Sequence, residues 1–128
     1  MKLRMKGDSL RLRVSPSELS RLLQSGRIEE TVHFGPQADA KLTYALLASS
    51  ENPVQATQLT VRYQSQEIAV VVSIDHARSW AENSDVGLYA NISFGAGQLE
   101  LAIEKDFACL DKDEAENQDT FPNPNVSC

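Results

Sequence analysis

The chain has 128 residues, 41% hydrophobic and 23% charged, which sets one domain with a single core and excludes wholesale disorder. Twelve Lys/Arg against 18 Asp/Glu leave a formal net charge of −6, which disfavours nonspecific nucleic-acid binding by the whole molecule. A cation interrupts almost every second residue from Met1 onward and no apolar run reaches the length of a membrane span, so the expectation is a cytoplasmic protein with no secretion signal and no membrane segment.

The sum hides an asymmetry. Residues 1–27 carry seven Lys/Arg against Asp8 and Glu18, and residues 104–128 carry seven Asp/Glu against Lys105 and Lys112. Apolar and basic residues alternate from Met1 to Val14 and reflect about Gly7-Asp8, which predicts a β-hairpin with Met5 opposite Leu10, Leu3 opposite Leu12 and Met1 opposite Val14. One face of that hairpin is apolar, and the other bears Lys2, Arg4, Lys6, Arg11 and Arg13.

Ser15-Pro16-Ser17-Glu18 then reads as a helix start, with Ser15 as N-cap and Glu18 closing a capping box. Leu19, Leu22 and Leu23 form its apolar stripe, and Gly26 is a left-handed C-terminal cap, giving a helix over residues 15–25. Residues 27–33 read as a strand at an edge or with a bulge, and residues 41–48 as a strand followed by a polar loop through Asn52-Pro53. A second hairpin spans 56–63 and 67–73 about Ser65-Gln66, with Leu59 opposite Val72, Val61 opposite Val70 and Tyr63 opposite Ile68. Val71 beside Ala69 on the reverse face marks the second of these strands as central.

Asp75 is placed as the cap of a short second helix carrying Ile74, Ala77 and Trp80 on one side. A third hairpin, residues 86–94 and 98–107 about Gly95-Ala96-Gly97, sets Phe94 opposite Leu99, Ile92 opposite Leu101 and Ala90 opposite Ile103. From Asp111 the apolar period disappears. The organisation is therefore an α+β domain over residues 1–110 and an acidic, extended or disordered tail over 111–128. The domain is expected to hold about eight strands, as a curved and mostly antiparallel sheet or a partly closed barrel, with two short helices. No internal repeat is visible in the sequence.

Three strings, Lys6-Gly7-Asp8-Ser9-Leu10-Arg11-Leu12-Arg13, Gly26-Arg27-Ile28-Glu29-Glu30 and Glu104-Lys105-Asp106-Phe107-Ala108-Cys109-Leu110, stand beside Trp80, Asp85-Val86-Gly87, Phe121-Pro122-Asn123-Pro124 and Cys128. In these the chain resembles a bacterial family of short uncharacterised proteins classed as a domain of unknown function. The resemblance spans most of the chain and implies a shared fold without an activity.

Several chemistries are open to the charged residues. The hairpin cations Lys2, Arg4, Lys6, Arg11 and Arg13 suit anion or phosphate binding, although no aromatic is interleaved to stack a nucleic-acid base. Alternatively the acidic tail neutralises them, with Asp111, Asp113, Glu114, Glu116 and Asp119 lying across the cationic face. A phosphate-directed or metal-dependent enzyme would use the same cations with Glu100 and Glu104, but Ala102 stands where a third carboxylate is needed. Cys109, Cys128 and His33, with His76, are candidate zinc ligands that no Cys-x-x-Cys or His-x-x-x-His pair anchors. Asp111-Lys112-Asp113 lacks the turn glycine of a calcium loop, and no serine or cysteine sits in a nucleophile motif. No convergent acid, base and nucleophile set and no cofactor motif emerges. The sequence reading is a small binding or interaction module, with a protein partner or self-association through a sheet edge, and no cofactor.

Overall fold

The computed structural model describes residues 1–50, 59–107 and 119–122. In chain order the elements are β1 (Lys2–Met5), β2 (Ser9–Val14), α1 (Pro16–Ser25), β3 (Arg27–His33), β4 (Lys41–Ser49), β5 (Leu59–Gln64), β6 (Glu67–Ser73), α2 (Ile74–Glu82), β7 (Gly87–Phe94) and β8 (Gly97–Lys105). The starts of the expected 56–63 strand, the Asn52-Pro53 loop and most of the acidic tail lie outside the described residues.

Local devices act as their residue types require. Ser15 accepts from Glu18 N while the Glu18 carboxylate accepts from Ser15 N, so the capping box satisfies two amide donors that the first turn of α1 leaves open. Gly26 closes the helix at φ 80°, and its N–H donates to Leu22 O. In α2 the cap is Ser73 rather than Asp75, since Ser73 accepts from His76 N and Asp75 falls within the first turn, where its negative charge complements the positive end of the helix dipole.

The eight strands form neither one sheet nor a barrel. They form two four-stranded sheets, in the orders β1-β2-β8-β7 and β3-β4-β6-β5. Each sheet is mixed: its flanking pairs are antiparallel, and its central pair, β2 with β8 or β4 with β6, is parallel. The mostly antiparallel expectation followed from pairing strands with their chain neighbours, whereas the central pairs join strands far apart in sequence.

This order also reveals a repeat. The unit hairpin, helix, hairpin occurs twice, as β1-β2-α1-β3-β4 and β5-β6-α2-β7-β8, and each sheet takes one hairpin from each unit. Registers match throughout. Leu12 pairs with Ile103 as Val70 pairs with Leu46, and Ile28 pairs with Leu46 as Leu88 pairs with Ile103. Ser15 and Ser73 cap the two helices at corresponding places, each directly after a buried valine, Val14 or Val72. The repeat is invisible in the sequence because the two units share positions and burial but almost no side-chain identities.

The apolar faces of both sheets and both helices meet in one core. Leu12, Val14, Leu101 and Ile103 come from the first sheet, Leu46, Leu59, Val70 and Val72 from the second, and Leu22 and Trp80 from the helices. α1 packs on β3 and β4, α2 on β4 and β6, and β5 lies against β7. Phe121 joins the margin of this core, bridged in parallel to Phe107 and donating its N–H to Asp106 O at 2.8 Å.

The first two hairpins keep the expected registers, while the third is tighter by two residues, with Phe94 opposite Gly97, Ile92 opposite Leu99 and Ala90 opposite Leu101. Gly95 at φ 49° supplies a two-residue turn, so Gly97 enters the strand. A shift of two preserves which face each side chain occupies. In the second hairpin Ser65 and Gln66 sit at φ 51° and 61°, conformations that L residues other than Asn and Gly occupy at a cost. Replacing the pair (Ser65→Asn with Gln66→Gly) is expected to stabilise the protein by about 1 kcal/mol in urea unfolding, with the slope unchanged.

Candidate functional site

The outer face of the first sheet is a grid set by its registers. One row across β1, β2, β8 and β7 reads Lys2, Arg13, Glu104, Gly87; the next reads Arg4, Arg11, Ala102, Tyr89. A third row, at the turn end, places Ser9 beside Glu100 and Glu100 beside Asn91, with Lys6 paired to Ser9 through the turn bond from Lys6 N to Ser9 O. All five hairpin cations named from the sequence therefore belong to one face, and the parallel pairing of β2 with β8 brings both candidate carboxylates onto it.

They do not play equal parts. Glu104 accepts from Tyr89 Oη at 2.8 Å and pairs with Arg11 Nε at 3.1 Å and Arg13 Nε at 3.9 Å. Gly87 stands opposite, where a Cβ would collide with the Ile103 carbonyl oxygen and lie 2.9 Å from the Glu104 Cγ, so the close approach of the β8 backbone requires glycine and also leaves room for the carboxylate arm. Lys2 is turned to Asp106 at 3.0 Å. Arg4, Lys6 and Glu100 have no ion pair among the described residues. Partial withdrawal of the Tyr89 hydroxyl from water and its bond to Glu104 push its pKa up to about 12, so the phenol is a donor at neutral pH.

Around Ala102 the face sinks into a depression of about 630 Å³, bordered by Arg4, Lys6, Ser9, Arg11, Tyr89, Asn91 and Glu100. Its origin is steric: a methyl group stands in the middle of a sheet whose neighbours are long. Arg4, Lys6, Arg11 and Glu100 border it, while Lys2, Arg13 and Glu104 do not. Sequence reasoning missed Tyr89 and Ser9, although strand alternation assigns Tyr89 to the same face as Asn91.

The second sheet provides an internal comparison. The positions corresponding to Arg4, Arg11, Ala102 and Tyr89 hold Arg62, Ala69, Ala45 and Glu29. There Arg27 pairs with both Glu29 on its own strand and Glu67 across the strand carrying Ala45, bonds that hold its proton more tightly than usual. Ala45 is 0% exposed and Ala69 4%, whereas Ala102 is only half-buried. The same small-residue floor is thus roofed by internal ion pairs in one sheet and open in the other.

The remaining candidates fall elsewhere. His33 ends β3 and His76 lies in α2, both exposed, and Cys109 and Cys128 lie outside the described residues. Among the described residues no group of three or more His, Cys, Asp and Glu is placed to hold a metal ion. Of the tail acids, Asp119 is held by Ser17, whose Oγ donates at 2.5 Å and whose N–H donates at 3.5 Å, so it sits at the N-terminus of α1 rather than on a hairpin cation. Asp111, Asp113, Glu114 and Glu116 lie outside the described residues. No described helix is long and apolar enough to cross a membrane.

A family profile described as a family of unknown function, DUF7009, matches residues 1–125. No curated protein and no solved structure matches the chain.

Proposed function

The chain belongs to this family of unknown function, and from that premise we propose that it is a small binding module that takes an anionic group on the outer face of the first sheet. One observation carries the reading: Arg4 and Lys6 border an open depression with no internal acid to neutralise them among the described residues, and Arg11 forms its flank. A phosphate or carboxylate placed there receives charge-assisted hydrogen bonds from Arg4 and Lys6, which have no ion pair among the described residues, beside an Arg11 already paired with Glu104. The net charge of −6 favours a small anion over an extended polyanion, since a nucleic acid is repelled by the rest of the surface. An enzyme using Glu100 with Glu104 has less support, because Glu104 is committed to Arg11, Arg13 and Tyr89 and does not border the depression.

The test is titration of the full chain with inorganic phosphate at fixed ionic strength, followed by amide chemical shifts. Saturable shifts are expected at Arg4, Lys6, Arg11 and Tyr89. The double substitution Arg4→Ala with Lys6→Ala is expected to weaken binding at least about tenfold, the scale of one lost charge-assisted bond. Unchanged affinity in that variant, or shifts scattered over the whole surface, would sink the reading.

A further inference from the structure

Resting on that reading, we infer that the ligand carries a positive charge beside its anion: the site fits a small zwitterion, an ammonium group joined to a phosphate or carboxylate. Three observations lead there. Glu100 borders the same depression as Arg4 and Lys6, is exposed, and has no ion pair among the described residues. Both signs of charge therefore face one hollow without meeting each other. In the second sheet the corresponding hollow is closed by opposite charges that do meet, Arg27 with Glu29 and Glu67. The two halves have the same backbone pairing, so the difference lies in the side chains and not in the frame.

Spacing sets the size of the ligand. Arg11 is paired with Ala102 and Ser9 with Glu100, so Arg11 and Glu100 are diagonal neighbours on adjoining strands, about 7–8 Å apart, and Arg4 is one strand further out. Because the long side chains of Arg4, Arg11 and Glu100 all border one depression across that diagonal, a compact ligand with its amine two or three bonds from its acidic group suits the hollow better than a long one. Asn91 stands beside Glu100 and Tyr89 beside Ala102, so the amine meets a carboxylate and an amide while its carbon chain lies against the Ala102 methyl and the Tyr89 ring. Ser9, on the other side of Glu100, donates its hydroxyl to Lys6 O at 2.6 Å and so fixes the turn that presents Lys6.

The experiment compares inorganic phosphate with O-phosphoethanolamine on the full chain and on Glu100→Gln. This substitution keeps the shape of an exposed side chain, and its fold is checked by circular dichroism. In the wild type the amine-bearing anion is expected to bind about tenfold more tightly than phosphate, the worth of one charge-assisted contact. Glu100→Gln is expected to move the two ligands in opposite directions: O-phosphoethanolamine weakens because its ammonium partner is gone, and phosphate tightens slightly because a repelling carboxylate is gone. Phosphate binding without any preference for the amine overturns this inference and leaves the anion site standing. Binding of neither ligand overturns both. A preference that survives Glu100→Gln also overturns it, since the amine would then be recognised elsewhere. Sedimentation with phosphatidylethanolamine vesicles, lost in Glu100→Gln, would support the same chemistry with a lipid as its source; binding of the free ligand alone supports a soluble one.

Discussion

Trp80→Ala is expected to destabilise the protein by about 4 kcal/mol, the largest effect of any single substitution considered. Trp80 is the largest fully buried side chain, at 0% exposure, and it belongs to the cluster that joins both sheets and both helices. Its indole N–H donates to Asp85 O at 3.1 Å, so truncation removes the ring, opens a cavity between α2 and the sheets, and leaves the carbonyl before β7 without its donor. Domains of this size are stable by about 5–15 kcal/mol, so the variant sits near the margin of folding. Trp80 is the one tryptophan of the chain, so unfolding is followed by circular dichroism in urea for wild type and variant alike. Trp80→Phe, which keeps most of the volume and loses the hydrogen bond, is expected to lose about 1–2 kcal/mol. Equal stability of Trp80→Ala and wild type would contradict the packing described.

Lys105→Ala is expected to cost about 2–3 kcal/mol, an unusual effect for a lysine. The side chain is only 6% exposed, and its Nζ donates to Asn83 O at 2.6 Å while lying 5.7 Å from the Trp80 ring centre and 5.6 Å from that of Phe121. Burial pushes its pKa below the usual lysine value, and the Asp85 charge only partly restores it. One cation therefore ties the C-terminal end of α2 to the segment around Phe121. Amide exchange separates this role from general instability: the Phe121 N–H, bonded to Asp106 O, is expected to exchange faster in Lys105→Ala than the β2 and β8 amides do. Uniform acceleration across all three would contradict the tie. Lys105→Met keeps the stem and loses the charge, so its cost is expected to fall to about 1 kcal/mol.

The two effects also mark where sequence reasoning stops. Trp80 was legible as a core residue from its spacing with Ile74 and Ala77, and the capping box at Ser15 and Glu18 from four consecutive residues. The registers of the first two hairpins were legible for the same reason, because the residues that decide them stand within a few positions of the turn. Lys105 was not legible as buried, since its partners Asn83, Trp80 and Phe121 come from separate stretches. Nor was the placement of Glu104: it reads as a candidate catalytic carboxylate on its own strand, and becomes the partner of Arg11 and Arg13 only through the parallel β2–β8 pairing. Alternation on each strand did assign the cations to one face, but which of them remain open depended on that long-range neighbour. Gly95-Ala96-Gly97 misled by its composition, since either glycine suits a turn and the one at Gly95 was sufficient.

The sharing of hairpins between sheets has a consequence for synthesis on the ribosome. β2 is made early, yet its hydrogen-bonding partner in the sheet centre, β8, spans Gly97–Lys105. When the first hairpin–helix–hairpin unit emerges, its two hairpins belong to different sheets, and neither sheet has its middle. The apolar sides of β2 and β4 then wait for β8 and β6, so the nascent chain cannot complete its core one half at a time. Such distant pairing slows folding and leaves unpaired strand edges exposed meanwhile. For this chain the vulnerable interval lies between emergence of the first hairpin and emergence of the last, and holding factors that shield strand edges would act there.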